Sequence, residues 1–163
     1  MVSWREASVD DDAALALLVE YFGSRAQSFP SSHGEYTAVF PTPADFVPPR
    51  GVFLVVEGED LAGEPADIGC GGIRRIEDDK DGAVRFEVKH LWLQPHVRRL
   101  GYGRALLAEL ESRAIAFGAD VLVLDTNAVL EAAAHLYRSA GFTETEPYND
   151  NPNATHWFAK TLD

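Results

Sequence analysis

Three arginines and two glycines fall within the seven residues Arg98 to Arg104, RRLGYGR, directly ahead of an amphipathic run. The run continues to about Phe117 with no helix breaker, which predicts a helix of about four turns. A helix N-terminus carries unpaired backbone N–H groups and about half a positive charge, so it can hold a phosphate. Gly101 and Gly103 keep Cβ atoms out of an anion's path to the backbone. Arg98, Arg99 and Arg104 add three fixed positive charges to the same turn. The chemistry these residues suit is the grip of a pyrophosphate.

The rest of the chain is charged the other way. It has 163 residues with 14 Lys and Arg against 26 Asp and Glu, a formal charge of −12. Three of those 14 bases crowd one turn, which points to a small polyanion rather than nucleic acid. The acidic remainder favours a cationic or amine-bearing second substrate. A single cysteine, Cys70, excludes an internal disulfide and suits a reducing compartment. With no signal-like N-terminus and no apolar run near 18 residues, we expect a cytoplasmic protein without a membrane partner.

The elements that must position the turn follow from pattern. Val2 to Ala7 reads as a strand, and Asp10, Asp11 and Asp12 offer N-cap and first-turn carboxylates to a helix ending near Phe22. Gly23 to Pro49 reads as a loop with one or two short helical turns, Pro43 to Phe46 above all, and as a wall for a substrate. Strands follow at Gly51–Glu57, Ile68–Ile76 and Ala83–Leu93, joined by short turns as an antiparallel meander. Gly69, Gly71 and Gly72 predict a bulge or a close backbone approach in the second of these. After the central helix come the strand Val121–Asp125, a helix over Leu130–Ala140 closed by Gly141, and strands at Phe142–Glu146 and His156–Thr161. Strand, crossover helix and strand make a parallel βαβ unit. The expected class is α/β (α+β with a mixed sheet) in one domain, 1–163.

Two motifs carry a family resemblance. Arg98-Arg99-Leu100-Gly101-Tyr102-Gly103 matches the Arg/Gln-x-x-Gly-x-Gly/Ala signature of the GNAT superfamily of N-acetyltransferases. Leu136-Tyr137-Arg138-Ser139-Ala140-Gly141-Phe142 resembles its downstream Leu-Tyr-x-x-x-Gly-Phe element. The order of elements resembles the GNAT fold over most of the chain, most strongly residues 83–146. The resemblance implies acetyl transfer from acetyl-CoA to an amine of a small molecule, amino acid or peptide. It assigns the CoA pyrophosphate to the backbone of residues 99–104 and the pantetheine arm to a splayed strand at Leu91 and Leu93. A backbone N–H near Leu91 would polarise the thioester carbonyl.

An alkylammonium with a pKa near ~10.4 must lose a proton before it attacks. Glu87 lies 11 positions before Arg98, where some relatives place a catalytic carboxylate. Strand alternation puts it on the face of Leu91 and Leu93, opposite Phe86, Val88 and Trp92. It is the expected general base, directly or through water; otherwise it is a strand carboxylate paired with Arg85 or Lys89. Tyr137 resembles the tyrosine that protonates the departing sulfur, or is a half-buried aromatic of its helix.

Two positions depart from the pattern. Leu130 stands where many relatives carry a CoA-contacting asparagine, so either Asn127 takes over or the contact is lost. Arg99 replaces a frequent glycine and either faces solvent or adds a phosphate contact. The five histidines show no metal-ligand spacing, and no metal is expected. Tyr21, Phe22 and Tyr148 are expected in the acceptor walls, and exposed edge strands make a homodimer plausible. A non-catalytic acyl-CoA-binding regulator is the alternative function. A dinucleotide fold fits poorly, because the glycines follow an antiparallel meander.

Overall fold

The computed structural model describes residues 2–127 and 130–163. They form seven strands, β1 (Ser3–Glu6), β2 (Gly51–Glu59), β3 (Pro65–Arg75), β4 (Arg85–Leu93), β5 (Val121–Thr126), β6 (Thr143–Thr145) and β7 (His156–Thr161). Three α-helices join them, α1 (Asp12–Ser28), α2 (Tyr102–Ala116) and α3 (Glu131–Ser139). The sheet order is β1-β2-β3-β4-β5-β7-β6. All neighbouring pairs are antiparallel except β4 and β5, which the α2 crossover makes parallel. This is the mixed α/β sheet expected from the pattern, meander first and βαβ unit second.

Helix α1 runs farther than its sequence suggests. Asp11 caps it by accepting from the Ala13 N–H at 3.2 Å. The helix passes through Gly23, which costs about 1 kcal/mol against alanine but does not break it. It stops at Phe29, the residue before Pro30, where the proline ring disfavours helical backbone. The extra turn carries Arg25, whose guanidinium stacks 4.7 Å over the ring of Tyr21, one turn earlier. The short turn over Pro43–Phe46 forms as expected.

The sheet has a core on each face. Phe86, Val88, Leu106, Leu107, Leu110, Leu122, Leu124 and Phe158 pack with α2 and α3 on one side. Leu17, Leu18, Phe22, Phe46, Phe53, Cys70 and Trp92 pack with α1 on the other. The β3 glycines serve close approach. A Cβ on Gly71 would come within 3.1–3.3 Å of Leu91, Leu106 and Leu110, and one on Gly72 within 2.9 Å of Phe46.

The bulge lies on the partner strand. Cys70 pairs with Trp92 and Gly72 with Lys89, so the single Gly71 opposes both His90 and Leu91. His90 takes up the extra residue with φ +59. The slip reverses the pleat, which corrects the face assigned to Glu87 from simple alternation. Glu87 pairs with Arg74 and shares the α1 face with Lys89 and Trp92, whereas Leu91 and Leu93 pack toward α2.

Strands β4 and β5 also part. Their pairing covers only Arg85–Glu87 against Val121–Val123, although both strands continue beyond it. β5 stays bonded to β7 along its whole length and β4 follows β3, so a gap opens through the sheet just past Glu87.

Candidate active site

At the end of β4 a one-turn helix, Pro95–Val97, leads into the arginine-glycine turn. Arg99 (φ +64) and Gly101 (φ +84) are both left-handed, and α2 starts at Tyr102. A Cβ at Gly101 would meet nothing within 4 Å, so this glycine is required for its φ rather than for space. Among the described residues, none accepts a hydrogen bond from the N–H groups of residues 99–104; the first such bond is Ala105 N–H to the Gly101 carbonyl. Six successive unbonded amides thus lie at the positive end of α2. The donors present fit a diphosphate.

The arginine side chains are arranged differently from the expectation. Arg98 donates through Nε to the Leu93 carbonyl at 3.0 Å and lies 4.8 Å over the ring of Trp92, on the α1 face. Arg104 donates to the Ser139 carbonyl at 2.7 Å, at the C-terminus of α3. Arg99 alone of the three is exposed with no hydrogen bond or ion pair among the described residues. Leu93 and Leu136 would both lie 3.5 Å from a Cβ at Gly103, and Tyr102 packs on the α2-side core.

A cavity of about 400 Å³ passes through the gap. Leu91, Leu124, Asn127, Leu130 and Tyr137 line it, as do Tyr21, Phe22 and Phe40 from the α1 side. The Tyr137 ring is buried against Phe142 and Phe158, at 6.2 and 6.0 Å between centroids. Its hydroxyl makes no hydrogen bond among the described residues, and burial pushes its pKa up to about 12. Asn127 donates through Nδ2 to the Asn153 carbonyl at 3.1 Å, and its own carbonyl accepts from the Leu130 N–H.

Glu87 is only 1% exposed and does not line this cavity. Its partner is Arg74, at 3.0 Å, rather than Arg85 or Lys89. The Tyr148 hydroxyl donates to Glu87 Oε2 at 2.6 Å, so Tyr148 is turned away from the cavity wall where the sequence suggested it. Burial and the charges of Glu87 and Asp125 hold the Tyr148 phenol protonated. Asn149 reaches Glu87 at 3.4 Å and Asp125 at 2.7 Å, and accepts from the Trp157 indole at 2.8 Å. Asn151 donates to the other Asp125 oxygen at 3.1 Å.

Pattern reading missed Arg74, Asp125, Asn149 and Asn151. The available signal was the alternation of asparagines at 149, 151 and 153. The Asn149 and Asn151 side chains each accept from the backbone N–H two residues on, as two successive Asx turns, and Asn153 accepts instead from the Thr37 N–H. His90 was also passed over. It is 7% exposed, ringed by Tyr21, Phe22 and Phe46, and its Nδ1 is the one buried side-chain polar atom without a partner among the described residues. Burial first, then Lys89 and Arg74, push its pKa down to about 3. Among the described residues there is no group of three or more metal-ligating side chains and no helix long and apolar enough to cross a membrane.

Comparison with known proteins bears on the fold and the family. An uncharacterized N-acetyltransferase of Schizosaccharomyces pombe is 34% identical over 105 residues, which cover 64% of this chain and 60% of that protein. The chain spans three fifths or less of the length of the curated relatives it matches. Among solved structures, a GNAT-family acetyltransferase from Staphylococcus aureus superposes over 100% of both chains with a TM-score of 0.74 at 15% identity. A GNAT-family acetyltransferase from Elizabethkingia anophelis, solved with acetyl-CoA bound, covers 99% of this chain and 98% of its own at 14% identity, with a TM-score of 0.61. These likenesses establish the fold. The acetyltransferase (GNAT) domain profile matches residues 49–144, which contain Glu87, the arginine-glycine turn and Tyr137. With more than half of its length matched, the chain belongs to the GNAT acetyltransferase family.

Proposed function

We propose that the protein transfers an acetyl group from acetyl-CoA to the amine of a small molecule, amino acid or peptide. One observation carries this reading. β4 and β5 part just past Glu87 around an aromatic-walled cavity, and β4 leads from there to six unbonded amides at the start of α2. A neighbour of the same fold binds acetyl-CoA, and the residues here suit the same molecule.

Acetyl-CoA supplies the reaction with an acyl thioester. The amides of residues 99–104 hold its diphosphate, with exposed Arg99 beside them. Tyr102, Gly103 and Arg104 open α2 at that point, and Arg98 braces the turn from the other face. The unpaired edge of β4 at Leu91 and Leu93 receives the pantetheine amides, with Asn127 opposite. The Leu91 N–H polarises the thioester carbonyl. Tyr137, unbonded and protonated, gives its proton to the departing sulfur. Glu87 takes the proton of the attacking amine through water, because its carboxylate sits one layer behind the wall formed by Arg74 and Asn149. A free, buried Cys70 suits a reducing, cytoplasmic setting.

Thiol release from acetyl-CoA, measured against a panel of amines, amino acids and peptides, tests the reading. Turnover with any of them supports it. Tight acetyl-CoA binding without turnover favours the regulatory alternative, and absence of binding refutes both.

A further inference from the structure

The cavity does not share the acidity of the chain. Four cations have neither a hydrogen bond nor an ion pair among the described residues: Arg25, Lys80, Lys89 and Arg99. Lys80 and Arg99 are exposed at turns, where water serves them. The two half-buried ones, Arg25 and Lys89, both line the cavity. Arg74 lines it too but is engaged by Glu87 and Asp45. A half-buried cation without an anion is costly in a protein with this excess of carboxylates, so this pair is arranged for an anion from outside.

One carboxylate faces them. Asp125 lines the same cavity and is held by two asparagine amides, with no cation paired to it among the described residues. Arg25, Lys89, Asp125 and Tyr137 all line this one cavity of about 400 Å³. The anion and the cation they call for must therefore be close together. Phe22 and Phe40, with ring centroids 4.7 Å apart, offer an apolar surface alongside.

Resting on the acetyltransferase reading, we propose that the acceptor is a free α-amino acid with an apolar side chain. Its carboxylate meets Arg25 and Lys89, and its ammonium meets Asp125 before deprotonation. In a peptide the α-carboxylate is an amide, and in a simple amine it is missing, so neither satisfies Arg25. The ammonium loses one proton through water to Glu87, and the neutral nitrogen forms the new C–N bond as the C–S bond breaks. Tyr137 protonates the departing sulfur, and the second nitrogen proton leaves through water and restores the tyrosine, so that one proton is released overall. The products are an N-acetyl amino acid and CoA thiol, with no oxidant or further reactant.

The test is thiol release from acetyl-CoA with free L-amino acids, their carboxamides and the corresponding decarboxylated amines, alongside calorimetric titration of acetyl-CoA. Free acids should exceed their carboxamides by roughly 10- to 100-fold in kcat/KM, the worth of a hydrogen bond to a charged group. Arg25→Gln should raise the amino-acid KM by a similar factor, leave the acetyl-CoA KM within about twofold and abolish the preference for acids. Arg25→Lys should restore part of it. Equal or faster turnover of carboxamides or plain amines overturns the inference and leaves acetyl transfer standing. Acetyl-CoA binding with no acid turned over also overturns it. A parallel rise in the acetyl-CoA KM of Arg25→Gln would assign Arg25 to the cofactor and overturn it as well. Failure to bind acetyl-CoA would remove the acetyltransferase reading itself.

Discussion

Replacing Tyr137 with phenylalanine removes one oxygen from the cavity and little else. The ring keeps its contacts with Phe142 and Phe158. The lost hydroxyl had no partner among the described residues, so no group is left orphaned. Stability should change by less than about 1 kcal/mol. If the hydroxyl protonates the leaving sulfur, kcat should fall by roughly 10²- to 10⁴-fold, about 3–5 kcal/mol in the barrier. Burial raises the Tyr137 pKa to about 12, above its unfolded value of 10.0. The phenol therefore keeps its proton at every pH below 10, and the ratio of parent to variant should be flat there. The stability tied to the protonated phenol is fully present below pH 10 and is lost as pH rises through 12, so the assay belongs below 10. Steady-state thiol release, acetyl-CoA titration and thermal melts together decide the matter. A kcat within threefold of the parent would refute proton donation, and an equal loss of acetyl-CoA affinity or of melting temperature would assign Tyr137 to packing.

Four further substitutions test the rest of the site. Gly101→Val forces a β-branched residue into φ +84, at a cost of about 1–2 kcal/mol, and turns the amide array. Acetyl-CoA affinity should drop at least ~10-fold, whereas Gly103→Ala, whose Cβ makes ordinary 3.5 Å contacts, should bind nearly as the parent does; equal affinities in all three would remove the cradle. Glu87→Gln breaks a buried pair, but Arg74 is one-third exposed and keeps Asp45, so the loss should lie near the lower limit of about 3 kcal/mol. Its rate should be reduced at neutral pH and recover partly as free amine accumulates, and an unchanged pH profile would exclude the base role. His90 is neutral in the fold, with a pKa lowered from 6.5 to about 3, so its contribution is present above pH 6.5 and lost as pH falls through 3. At about 1.4 kcal/mol per tenfold change in proton affinity, that is roughly 5 kcal/mol at most. His90→Phe should flatten the fall in stability across this window in denaturant titrations, and an unaltered slope would place the acid sensitivity elsewhere.

The parts of this protein that depend on neighbours in the chain were readable from its residues. Strand alternation, the turn glycines and the strand–helix–strand order determine the meander, the crossover and the position of the arginine-glycine turn. Those features follow from local backbone preference and from the period of apolar residues, which a linear text records. The motif also located the free amides, because a helix start and its φ-positive glycine lie within a few residues of each other.

Tertiary structure decided what depends on distant pairing. The bulge at His90 is a mismatch between β4 and β3, and it moved Glu87 to the opposite face from Leu91, which counting by twos along one strand cannot foresee. The choice of Arg74 and Tyr148 as partners of Glu87 joins residues 13 and 61 positions away in the chain. The turn of Arg98 onto Trp92 is likewise a packing outcome: a long flexible cation settles on whichever face offers an aromatic ring and a carbonyl. Arg25 faces the gap only because α1 continues past Gly23 and packs across the splayed strands. Sequence spacing thus located the arginine-glycine turn, and the fold determined the cavity, because that cavity is assembled from α1, β4, β5 and the asparagine loop together.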